Sequence, residues 1–283
     1  VSLMAKIATG QAGAEMQEED FVKDGIIHCG KCKEPKEYPY EIKLGEFQTI
    51  KGKGRILCKC EKEAEEERKR KENELNLAAW KEKMIRNGLG KSKFREYTFE
   101  NDDLKNEQVS NMCKSYAKNF KEAIKDNIGI LFYGEVGTGK TYYAVAIANE
   151  LINQGYSVRV LSITEWINSM QTFDDENRKK ELDAVTRVSL LVIDDVGAER
   201  ETSYGLEQAY ALIDERYNSG LPTIATTNKT IKELENPASI GFKRIYDRIL
   251  EMCSFKLEVA GKSRREGIGE NKEVKAMRIL GLL

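Results

Sequence analysis

The sequence lacks any uninterrupted apolar run approaching the roughly 18 to 20 residues that span a bilayer. Its first residues also lack the charged, then hydrophobic, then cleavable order of a leader. A soluble, cytoplasmic protein with no membrane contact is expected. Charge of one sign is missing too, with 46 Lys and Arg against 47 Asp and Glu among 283 residues. No overall field draws the chain onto nucleic acid or an anionic surface, so any such contact has to be a local patch. Histidine occurs once, at His28, and no segment repeats another. Six cysteines are present, but a reducing compartment excludes a disulfide framework and leaves metal binding or burial.

What is present, with 40% hydrophobic residues, suffices for one α/β core and a small second domain. Residues 1–19 are polar and expected to fray. CGKC, with Cys29 and Cys32, and CKC, with Cys58 and Cys60, enclose Gly- and Lys-rich strand-like pieces such as EFQTIKGKGRIL, so residues 1–60 read as a small, loop-rich unit. From Glu61 the chain continues EKEAEEERKRKENEL, and Glu65, Glu66 and Glu67 each stand four residues ahead of Lys69, Arg70 and Lys71. Acid-first pairs at this spacing support an exposed helix. Leu77, Trp80 and Met84 give its far end an apolar side, and NGLG stops it, so residues 61–90 read as a helical connector. In residues 91–283 apolar runs alternate with helical stretches, the pattern of an α/β parallel sheet covered on both faces. Strands are expected at Gly129–Gly134, Ser157–Ser162, Ser189–Asp194, Leu221–Thr227 and Phe255–Val259.

GEVGTGKT, formed by Gly134, Glu135, Val136, Gly137, Thr138, Gly139, Lys140 and Thr141, follows the first of these strands and precedes the helix-compatible YYAVAIANELI. It fits the phosphate-loop pattern, in which backbone N–H groups wrap the phosphates, Lys140 reaches the β and γ phosphates and the Thr141 hydroxyl ligates magnesium. LLVIDDV places Asp194 to hold Mg2+ through water and Asp195 to orient or deprotonate the attacking water. Asp195 is shorter than the Glu many ATPases use there, which suits slow hydrolysis and a switch. IATTN ends the next strand in Thr226, Thr227 and Asn228; the Asn228 amide can bond the γ phosphate and the lytic water, although such an Asn alone only makes a turn.

FKRIYDRI carries Lys243, Arg244 and Arg248 on a helix, and Arg248 is either a surface base or an arginine finger for a neighbouring subunit. SRR, at Ser263–Arg265, is either a solvated patch or a γ-phosphate contact. The paired Cys29, Cys32, Cys58 and Cys60 suit tetrahedral Zn2+, which in so small a unit substitutes for a hydrophobic core. Free buried thiols are the alternative. His28 can replace one ligand, but with four cysteines at hand it reads as a loop residue. Cys113 and Cys253 read as core.

With phosphate loop, paired aspartates, TTN and DR in this order, the chain from about Phe94 to Arg265 resembles AAA+ ATPases, and more narrowly the DnaC/DnaI and IstB group. FREYTFEND, GEVGTGKT, LLVIDDVGAE, the TTN tip and DRI followed by SRR carry the resemblance. The short stretch after Val259 leaves no room for the helical lid of a full AAA+ protein, which also fits this group. A cysteine-bearing N-terminal module on a charged helix is similar to Firmicute and phage helicase loaders. The resemblance implies ATP with Mg2+ as the bound nucleotide. It puts Lys140 and Thr141 on phosphate and magnesium, Asp194 on magnesium, Asp195 on water and Asn228 as sensor. Arg248 becomes a trans-acting finger and Arg265 a second sensor, with Arg264 an equal candidate.

The implied function is ATP-dependent loading of the replicative hexameric DNA helicase onto single-stranded DNA, with self-association. In that reading residues 1–60 hold the helicase, and the KSRR region with Lys272 and Lys275 touches DNA. A transposition helper ATPase of the IstB kind and a non-catalytic zinc adaptor are the alternatives.

Overall fold

The cysteine-rich region is built on two antiparallel ribbons, more strand than its loop-like composition suggests. β1 (Phe21–Lys23) pairs with β2 (Ile26–His28), and β3 (Glu37–Leu44) pairs with β4 (Gln48–Arg55). The computed structural model describes residues 13–44, 48–198, 202–237, 239–264, 275–280 and 282.

Helix α1, Lys59–Gly88, contains the charged stretch. Two of its three expected acid-first pairs form, Glu65 with Lys69 at 2.8 Å and Glu67 with Lys71 at 2.7 Å. Arg70 instead reaches forward to Glu74 at 3.7 Å, so Glu66 gains no such partner. Each exposed pair is worth only about 0.3–0.5 kcal/mol. The chain divides into two compact units within this helix, Val1–Ala78 and Ala79–Leu283. In line with the division, Leu77 is exposed, whereas Trp80 and Met84 pack into the core of the second unit.

That second unit carries all five expected strands: β5 (Ile130–Tyr133), β6 (Val158–Ser162), β7 (Leu190–Val196), β8 (Thr223–Thr227) and β9 (Phe255–Glu258). Every pairing among them is parallel, in the order β6-β7-β8-β5-β9. Strands buried on both faces read as continuous apolar runs, and the pleat sorts them. Ile130, Phe132, Leu190 and Val192 join one core layer, whereas Leu131, Leu191 and Ile193 join the other.

The first layer is closed by α2 (Glu107–Lys118), α3 (Phe120–Lys125) and α4 (Lys140–Asn153). The second is closed by α5 (Ile163–Met170), α6 (Asp175–Thr186), α7 (Ser203–Ser219), α8 (Ile231–Glu235) and α9 (Ile240–Met252). Cys113 and Cys253 are fully buried, one in each layer. Arg216 on α7 is also fully buried and spans the loops that feed β7 and β8, donating to Thr186 O at 2.6 Å and Val188 O at 2.7 Å. Backbone carbonyls that would otherwise lie unpaired thereby gain a donor. No described helix is long and apolar enough to cross a membrane.

Candidate functional site

β5 delivers the chain into the Gly134–Gly139 loop, and α4 starts at Lys140. Gly137 and Gly139 adopt φ of 84° and 107°, left-handed values that strain any residue with a Cβ. A Cβ on Gly137 would also stand 2.2 Å from Ser263 Oγ, and one on Gly139 3.1 Å from Arg264 Cζ. The glycines therefore serve both the turn and the close approach of the segment after β9. Thr138 Oγ1 braces the loop by donating to Glu135 O at 3.0 Å, and Lys140 Nζ donates to Gly134 O at 2.8 Å and Glu135 O at 2.6 Å. Val136 stands exposed at the rim. Unpaired N–H groups at a helix N-terminus attract anions, so this loop has the form of a phosphate seat.

The tip of β7 faces that seat. Pairing with β8 slips between Ile193 and Val196, so Asp194 and Asp195 form a bulge. The bulge sends the two carboxylates to different environments: Asp194 is buried and Asp195 is exposed, with Asp195 at a φ of 56°. Asp194 Oδ1 accepts from Thr141 Oγ1 at 2.8 Å and from Thr226 Oγ1 at 2.7 Å, while Thr226 Oγ1 accepts from Asp195 N at 3.0 Å. Thr227 Oγ1 donates to Val196 O at 2.7 Å and fixes the next residue of β7. Thr226 thus holds both aspartates, a role that its place in a turn-like TTN does not reveal.

A cleft of about 570 Å³ joins Gly137, Gly139, Lys140, Thr141, Asp195, Asn228 and Arg264. At its other end stand Tyr97, Asn101, Asp103 and Tyr142. Burial pushes the Tyr142 hydroxyl up to about 12. Tyr97, Asn101 and Asp103 belong to the FREYTFEND lead-in and the residues just after it, which motif spacing alone does not place in a site. Arg264, one of the two second-sensor candidates, lies in the cleft; Arg265, like Lys272, lies outside the described residues. Lys275 is exposed on a short helical turn at 275–279. Arg248 does not line the cleft. It pairs with Asp214 at 2.6 Å and lies over the Tyr210 ring at 4.7 Å.

In the first unit the sulfurs of Cys29, Cys32 and Cys58 lie within 4.8 Å of one another, and Cys60, a free thiol like the other three, stands beside Cys32 outside that set. A tetrahedral zinc–thiolate centre puts its sulfurs about 3.8 Å apart, so these three thiols fit three of its four ligands. N–H groups of Cys60 and Glu34 pull the Cys32 thiol down to about 6, whereas burial pushes Cys58 up to about 12. Lys36 organises both cysteine pairs: its Nζ lies 2.7 Å from Asp20 and 3.5 Å from Glu61. Asp20, held down to about 2 chiefly by Lys36, accepts from Gly30 N at 3.1 Å, and Glu61 accepts from Cys58 N at 3.1 Å. His28 is occupied elsewhere, with Nδ1 3.0 Å from Ile26 O and its ring stacked on Phe21.

Residues 53–269 match the family described as IstB-like ATP binding protein. The replicative helicase loader DnaC of Escherichia coli strain K12 is 31% identical over 178 residues, covering 58% of this chain and 71% of that protein. The replicative helicase loader DnaI of Bacillus subtilis is 27% identical over 170 residues, covering 56% of this chain and 53% of that protein. Among solved structures, a putative primosome component from Streptococcus pyogenes serotype M3 is 26% identical with a TM-score of 0.51, covering 64% of this chain and 96% of that one.

Proposed function

The chain belongs to the IstB-like ATP binding protein family, and from that premise we propose an ATP-switched loader that places a hexameric replicative DNA helicase on single-stranded DNA in the cytoplasm. The observation that carries this reading is the convergence of Lys140, Thr141, Asp195, Asn228 and Arg264 on one cleft. Relatives named replicative helicase loaders match more than half of the chain and support the loader's role.

In this reading the loop N–H groups and Lys140 hold the β and γ phosphates. Thr141 and Asp194 set hard oxygen donors side by side, the chemistry Mg2+ takes, and they would hold it. Held there, Mg2+ would supply positive charge to offset that of the phosphates. Asp195 orients or deprotonates the attacking water, and Asn228 reports the γ phosphate. Arg264 or Arg265 is the second sensor. Arg248 acts on a neighbouring subunit, so self-association completes the site. Aspartate in place of a longer glutamate makes hydrolysis slow. Cys29, Cys32, Cys58 and Cys60 hold Zn2+, and the unit they organise, residues 1–60 with the 61–90 connector, grips the helicase, while residues 91–283 bind ATP and DNA. Contact with DNA falls on a local basic patch near Lys275.

The test is capture from the native host with ATP present, followed by a loading assay on circular single-stranded DNA with the captured helicase. ATP-dependent appearance of helicase on the circle is expected. A transposase in the eluate in place of a helicase would support the transposition-helper alternative.

A further inference from the structure

Arg264 is held beside the phosphate loop from several directions. Its backbone N–H donates to Gly137 O at 2.8 Å, and Nη2 donates to Tyr143 Oη at 2.8 Å. Nη1 lies 3.2 Å from Asp103 Oδ1 and 3.8 Å from Asp102 Oδ1. The rings of Tyr143 and Tyr142 flank the guanidinium, with centroids 5.2 and 5.8 Å from Cζ. Nε has no hydrogen-bond partner among the described residues, and it stands 3.1 Å from where a Gly139 side chain would begin. Two corners of the fork are anchored, and the third faces the loop.

Asp102 gives this arrangement its physical weight. Its side chain is fully buried and its Oδ2 has no hydrogen-bond partner among the described residues. A carboxylate in that position is tolerated where a cation neutralises it, and Arg264 is its ion-pair partner among the described residues. Lys105 Nζ, 3.6 Å from Asp103 Oδ2, offsets the second carboxylate, so the turn does not repel a phosphate. A guanidinium oriented in advance loses less freedom when it meets its ligand.

We infer that Asp102 and Asp103 are positioning residues of the nucleotide site: they hold Arg264 with its Nε edge toward the phosphate loop, so that the turn after the lead-in helps to distinguish ATP from ADP. The inference rests on the reading of the cleft as an ATP site.

Competition binding of ATP and ADP to the full chain tests it, with thermal melts run on each variant. Asp103→Asn and Asp102→Asn should each lower the preference for ATP over ADP by about tenfold with ADP affinity little changed. In an Arg264→Ala background the same substitutions should have no further effect. Asp103 is partly exposed, so its variant carries the test if Asp102→Asn fails to fold. An unchanged preference, or an equal loss without Arg264, overturns the inference while leaving the ATP site standing. A wild-type chain that binds no ATP, like Lys140→Ala, removes the ATP reading and this inference together.

Discussion

Thr141 Oγ1 donates to Asp194 Oδ1 at 2.8 Å, joining the first turn of α4 to the tip of β7 across 53 positions of sequence. The glycine loop with its helix start and the acidic bulge are therefore one construction, in which Asp194 is buried and Asp195 exposed. Lys140→Ala should abolish ATP binding, since it removes the cation of the seat. Asp195→Asn should keep ATP and lose about 10²- to 10⁴-fold in turnover. Equilibrium binding and steady-state hydrolysis separate the two, and undiminished hydrolysis in Asp195→Asn would remove Asp195 from the water-activating role.

Thr226 holds both aspartates through one hydroxyl. Thr226→Val keeps the shape but leaves Asp194 short of a donor and Asp195 N short of an acceptor, which should cost about 1–3 kcal/mol of stability. Thr226→Ser should restore most of it. Urea denaturation measures the loss, and turnover should fall with it because the bulge sets where Asp195 stands.

The first unit should contain about one zinc per chain, coupled to its folding. Chelation should make the residues up to Ala78 protease-sensitive while the unit from Ala79 stays folded, its core being built on the parallel sheet. Metal-free fresh protein with unchanged protease sensitivity after chelation would count against the zinc centre.

Arg248 makes a partly exposed pair with Asp214 and lies over Tyr210, contacts worth about 1 kcal/mol or less each. Acting only within its own chain, Arg248→Ala would lower stability slightly and leave turnover alone. As a trans-acting finger it should instead lose about 10³-fold or more in turnover, and mixing with Lys140→Ala should restore part of the activity. No rescue at any ratio, with co-assembly demonstrated, returns Arg248 to a surface role.

The sequence alone determined the helical connector and the strands of the parallel sheet, and which polar residues stand at their tips. Apolar runs ending in GEVGTGKT, IDD and TTN could only be buried parallel strands with polar tips, and all five strands stand where those runs predict them. Acid-first spacing predicted α1, and of the paired cysteines three, Cys29, Cys32 and Cys58, bring their sulfurs together. Tertiary structure decided what periodicity does not encode. A run apolar at every position cannot say which residues face which layer, and the pleat assigned Leu131 and Phe132 to opposite cores. The β7 bulge, not the DD pair itself, separated a buried Asp194 from an exposed Asp195. The chain's return after β9 brought Arg264 against Gly139, Tyr143 and the Asp102–Asp103 turn. Local patterns fix backbone conformation because their forces act over a few residues, whereas a charge finds its partner only after distant segments have packed.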